Sequence, residues 1–191
     1  MTRSLVLPLF ACTDITQVGG KAIGLARLIE AGFSVPPGLC ITTEAYSQSL
    51  NESGFSEQVE WEKIRALSEK ERELALADVR TRIKQIETAQ LAKQWSAELE
   101  KLTPPASGGW AVRSSATNED SARTSFAGLY RTHLGVPFTE IDRAIKDLWT
   151  SLWEDSVVRY ISQHGDHPTA PRMAVVIQPM LEAQAAGVAY S

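Results

Sequence analysis

The chain is poor in the residues that staple or metallate small proteins. It has two cysteines, Cys12 and Cys40, and three histidines, which supports neither a disulfide framework nor a zinc-site spacing. The cysteines stand far apart, and this predicts reduced, small apolar fillers in a cytoplasmic protein. His164 and His167, three apart, are a faint metal pattern with no Cys, Asp or Glu set beside them. An excess of one charge is also missing: 19 Lys+Arg against 23 Asp+Glu leaves −4, so electrostatics make no case for nucleic acid or an anionic membrane as partner. No apolar run approaches a membrane span. The patch at the start is too short for a signal-peptide core, and no cleavage site follows; it reads as an early strand. What remains is 43% hydrophobic and 22% charged over 191 residues. That suits a soluble globular chain of one large domain or two small ones.

Two stretches carry candidate chemistry. Val18-Gly19-Gly20-Lys21 is a glycine turn before apolar residues at helical spacing (Ile23, Leu25, Ala26, Leu28, Ile29), with Gly32 placed for a left-handed cap. Lys21 is therefore expected near the start of a helix ending about Ala31, where amides and helix dipole favour an anion. The stretch is not a Walker A motif, because it lacks the four-residue spacer and the hydroxyl after Lys. A plain helix start with a solvated Lys is the bland alternative.

The second stretch begins with Trp110-Ala111-Val112, a buried-strand pattern, followed at once by Arg113, Ser114 and Ser115. A planar, always charged guanidinium suits phosphate oxygens, and small hydroxyl residues let a backbone approach an anion closely. A polar loop is expected over Thr117–Thr124. A strand from Leu129 to Val136 should then place Leu129, Arg131, His133 and Gly135 on one face and Tyr130, Thr132, Leu134 and Val136 on the other.

Elsewhere the pattern is architectural. Val35-Pro36-Pro37-Gly38 is a rigid turn, Leu39–Ile41 a short strand, and Thr42 a cap for a helix to about Ser53. Residues 57–102 read as a helical subdomain. It has a capping box at Ser68–Glu71, one buried stripe at Leu76, Val79, Ile83 and Ile86, and another at Leu91, Trp95, Leu99 and Leu102. A proline-glycine linker follows at 103–109. One long helix capped by Thr139 is expected from Glu140 to Gln163. Met173–Met180 is a buried strand broken by Gln178, and a further strand starts at Gly187. A strand pattern ending at Ser191 suggests that more protein follows.

Gly19-Gly20-Lys21, the Arg113-Ser114-Ser115-Ala116-Thr117 segment and Ser125-Phe126-Ala127-Gly128 occur in an order that resembles the ATP-binding domain of the phosphoenolpyruvate-synthase and pyruvate-phosphate-dikinase family. The rifampicin phosphotransferases share that domain. Val35–Gly38, Thr43–Tyr46, Val175–Gln178 and Ala186–Ala189 extend the resemblance over nearly the whole chain. It implies an α+β, ATP-grasp-like lobe with a helical insertion (57–102 within 1–56 and 103–191) and a truncated second lobe. It implies that Lys21 and Arg113 contact ATP phosphates and neutralise charge in catalysis, and that Gly128, Thr132 and Gln178 also contact the nucleotide. Gln178, polar in an apolar strand, would be satisfied equally well by a backbone group. The resemblance further implies Mg2+, held by carboxylates outside this chain, and phosphoryl transfer through an outside histidine to pyruvate or a similar small acceptor. The chain alone would bind ATP weakly and turn nothing over. An antibiotic phosphotransferase and a non-catalytic nucleotide sensor are the alternatives. Ser121-Ala122-Arg123-Thr124 departs from the family, which has Leu-Pro before the Ser-Phe-Ala-Gly segment.

Overall fold

The computed structural model describes residues 4–105, 108–117, 131–164, 169–183 and 187, with only the backbone at 163 and 164. Strand β1 (Val6–Pro8) runs into a 3-10 turn over Leu9–Ala11. Helix α1 (Ile15–Glu30) starts on Asp14, whose carboxylate accepts from the Thr16 amide at 2.9 Å. This cap places one helical turn ahead of the expected start. A kink at Gly19 (φ 72, ψ 174) then separates that turn from the segment carrying Lys21. The helix ends as its glycine predicts. Gly32 has φ 83, and Phe33 N–H and Gly32 N–H reach back to Leu28 O at 2.9 Å and Ile29 O at 3.0 Å.

Strand β2 (Leu39–Ile41) leads to α2 (Thr43–Glu52), capped by the Thr42 hydroxyl. Residues 57–102 supply α3 (Glu57–Arg65), α4 (Glu69–Lys84) and α5 (Ala89–Leu99). The Glu71 carboxylate accepts from the Ser68 backbone amide at 3.2 Å, closing the expected capping box. Strands β3 (Trp110–Ala116) and β4 (Thr132–Val136) follow, then α6 (Ile141–Ser151), α7 (Asp155–His164) and β5 (Met173–Pro179).

The strands form one antiparallel sheet in the order β1-β2-β5-β3-β4, so the architecture is α+β. Strand β5 is the last of the described strands yet central in the sheet, and Met173–Ile177 are wholly buried. This explains their unbroken apolar run. Alternation divides the sheet between two cores. Leu39, Ile41, Trp110, Val112, Val175 and Ile177 share one cluster with buried residues of α2–α7. Cys40, Ala174 and Val176 share the other with Val18, Ala22 and Ile23 of α1. Both stripes of the 57–102 helices enter the first cluster alongside the sheet residues.

Two expectations fail for physical reasons. The long helix after Thr139 is two helices, and Thr139 lies in a 3-10 turn (Phe138–Glu140) rather than at a cap. At the break, Thr150 and Ser151 turn their hydroxyls back onto Asp147 O and Leu148 O. Trp153 is seated in the core, and its carbonyl accepts from Arg80 Nη1 of α4 at 2.6 Å. The second failure is the simple alternation along β4. Trp110 pairs with Val136 but Val112 pairs with His133, so β4 carries an extra residue. Gly135, at φ 66, accommodates this bulge. Val136 is thereby moved to the face opposite Thr132.

Candidate functional site

Directly paired residues in an antiparallel sheet share a face. Arg113 pairs with Val176 on one side and Thr132 on the other, and Ala111 pairs with Gln178. Val176 lies in the cluster under α1. Arg113, Thr132 and Gln178 therefore belong to the α1 face of the sheet. Ser115, opposite Ala174, lies on it as well.

The kinked turn of α1 is pressed onto this face at Ser115. The Ser115 hydroxyl accepts from the Ala22 amide at 3.1 Å and donates to Val18 O at 2.7 Å. The approach is so close that a Cβ on Gly19 would stand 2.1 Å from Ser115 O, which makes glycine obligatory there. Lys21 lies inside the clasped turn. Arg113 is two residues from the clasp on β3, about 7 Å along the strand. Both cations are half-buried, and among the described residues no carboxylate pairs with Arg113. The face thus presents a helix start after a glycine kink, a lysine within it, a guanidinium and the Thr132 hydroxyl position. This donor set suits a polyanion.

Other expected contributors are differently placed. Gln178 is 6% exposed, and its Nε2 donates to Pro36 O at 3.0 Å. A backbone carbonyl therefore supplies the partner that its burial demands. The Pro36–Gly38 turn sits so tightly that a Cβ at Gly38 would lie 2.5 Å from Ile177 O. The hydroxyls of Ser114 and Ser115 are engaged within the protein rather than offered to a ligand: Ser114 Oγ donates to Arg131 O at 3.0 Å, and Ser115 forms the clasp. Gly128, the Ser-Phe-Ala-Gly segment, His167 and the strand expected after Gly187 lie outside the described residues. His133 pairs with Val112, on the face opposite Arg113. Its Nε2 lies 2.8 Å from Asp147 Oδ2 without hydrogen-bond alignment. Arg131 meets Asp147 and Glu154 nearby.

Two features were hidden in the sequence. One is the Ser115 clasp. The other is that Cys12 and Cys40 are buried neighbours under α1, where the Cys12 thiol donates to Pro8 O at 3.6 Å and the Cys40 thiol to Val18 O at 3.8 Å. The adjacent Cys40 thiol lowers the pKa of Cys12, while burial raises that of Cys40 well above the ordinary thiol value. Among the described residues, no three His, Cys, Asp or Glu side chains gather as a metal site. No described helix is long and apolar enough to cross a membrane.

Fold and site together define an α+β module with a cationic, glycine-kinked face. Comparison with known proteins narrows that class. Residues 15–191 match the pyruvate phosphate dikinase AMP/ATP-binding domain, and the chain belongs to that family. Over its whole length it is 36% identical to a phosphoenolpyruvate synthase from Aeropyrum pernix, of which it spans 24%. It is 31% identical to a rifampicin phosphotransferase from Bacillus subtilis, with 98% of this chain and 22% of that protein aligned. It is also 34% identical to the prodigiosin synthesizing transferase PigC of Serratia marcescens, with 92% of this chain and 18% of that protein aligned. The chain thus spans about a quarter or less of these relatives.

Proposed function

We propose that this chain is the nucleotide-holding part of an ATP-dependent phosphotransferase with an ATP-grasp-like architecture. Its α1 face would hold the phosphates of ATP. Lys21 and Arg113 would neutralise the triphosphate, and Thr132, one strand over from Arg113, would add a hydroxyl. Such reactions proceed largely by positioning and charge neutralisation. When bound, Mg2+ would supply further neutralisation of phosphate charge, and the carboxylates that hold it would come from outside this chain. Gly128 and the Gln178 amide oxygen complete the proposed contacts.

The phosphoryl group would pass to a histidine outside this chain and then to pyruvate or a similar small acceptor. His133 is not that histidine, because it belongs to the opposite face of the sheet. The rifampicin phosphotransferase among the relatives supports a second reading of the acceptor, as an antibiotic hydroxyl. The same phosphate-holding face would serve either acceptor.

The observation that carries this reading is the docking of the lysine-bearing turn onto the arginine-bearing strand, on one face of the sheet. ATP titration followed by amide NMR shifts tests it. Shifts should cluster around Lys21, Arg113 and Thr132, and Arg113→Ala should weaken binding at least about tenfold, as loss of a charge-assisted phosphate contact would. An unchanged titration would remove Arg113 from the site.

A further inference from the structure

In an unbroken helix the Ala22 amide would donate to Val18 O, four residues back. The kink at Gly19 opens that pair, and the Ser115 hydroxyl occupies the gap. It accepts from Ala22 N at 3.1 Å and donates to Val18 O at 2.7 Å, and Ser115 is wholly buried. A side chain inserted into the helical ladder is a recognised cause of a sharp bend. Here it comes from a strand, and it caps the second helical segment from outside. The bridge joins the turn containing Lys21 to the strand that carries Arg113 two residues earlier.

We propose that Ser115 is a positioning residue: its hydroxyl sets the spacing between Lys21 and Arg113 and thereby the fit of the phosphate chain. This rests on the phosphate-binding reading above. Alternative roles for the hydroxyl would separate from this one experimentally. A hydroxyl that only stabilises the fold would change melting temperature without coupling to Lys21. One that touched the nucleotide directly would contribute independently of Lys21.

The test is a double-mutant cycle on the 191-residue chain, with ATP affinity measured by calorimetry and folding checked by circular dichroism. Lys21→Ala should weaken ATP binding about tenfold, and Ser115→Ala about three- to tenfold. On the Lys21→Ala background, Ser115→Ala should cost less than about twofold, because the group it positions is gone. Amide exchange at Ala22 should also accelerate in Ser115→Ala. If Ser115→Ala does not fold, Ser115→Cys, which fills the site with a slightly larger and more weakly hydrogen-bonding group, enters the same cycle. Wild-type affinity in the Ser115 variant, or an undiminished loss on the Lys21→Ala background, would overturn the positioning role and leave the phosphate reading standing. If Lys21→Ala itself binds ATP normally, the phosphate reading of Lys21 fails and this inference falls with it.

Discussion

At Gly19 one hydrogen atom in place of a side chain decides how a helix and a strand can meet. Its φ of 72 lies in the left-handed region, and Ser115 O occupies the space a Cβ would take. Gly19→Ala should therefore destabilise the chain by about 3 kcal/mol or more, since strain and overlap act together. Gly24 is the internal control. It lies in the same helix, and an added methyl there would meet nothing within 4 Å, so Gly24→Ala should stabilise by about 0.5–1 kcal/mol. Urea denaturation of both variants checks the pair. The glycines are visible in the sequence as a turn, and their local reading is that they expose amides to an anion. The stronger constraint on Gly19 comes from Ser115, ninety-odd residues away, and no local pattern reports it. The contact between the two thiols is hidden for the same reason.

Between α4 and α7 the structure holds a tie that can be titrated. Arg72 Nε donates to Asp155 Oδ1 at 2.8 Å, and Arg159 meets the other carboxylate oxygen. Arg72 above all, with Arg159 beside it, lowers the Asp155 pKa. A depressed carboxylate contributes stability above its unfolded pKa of about 3.9 and loses it as pH falls through the lower folded value. Stability should therefore decline in that acid window. Asp155→Asn should lose about 1 kcal/mol at neutral pH, discounted for partial exposure, and show a shallower decline. Chemical denaturation at pH 7, 4 and 3 reads both effects. At this scale the stripes in α4 and α5 and the caps at Thr42, Ser68 and Gly32 were legible, because each depends on residues a few positions apart. The break after Ser151 was not. The apolar pattern runs on from Ile141 to Ile161, and Arg80 on α4 takes the freed carbonyl. The β4 bulge was obscured because strict alternation counts Gly135 as an ordinary strand residue.

Across the molecule, the helices of 57–102 and the sheet bury their side chains in a common cluster. All five tryptophans are buried, none more than 5% exposed. Tryptophan fluorescence and far-ultraviolet circular dichroism should therefore report one coincident unfolding transition. A separate early loss of helicity would show that 57–102 melts on its own. The α+β class and the order of elements were readable in the sequence, since hydrophobic period distinguishes strand from helix. Which face each strand turns to α1 depended on pairing, and pairing is a long-range property.

The central place of β5 also bears on how the chain is made. A ribosome releases β1 and β2 early, and β3 and β4 much later, yet neither pair touches the other in the finished sheet except through β5. Nascent chains lacking Met173–Pro179 would hold two unjoined strand pairs with open flanks, the kind of surface that invites aggregation or chaperone capture. Assembly of the cationic face would then wait on the last of these five strands to emerge, which is remote from both Lys21 and Thr132 in sequence but closes the floor beneath them.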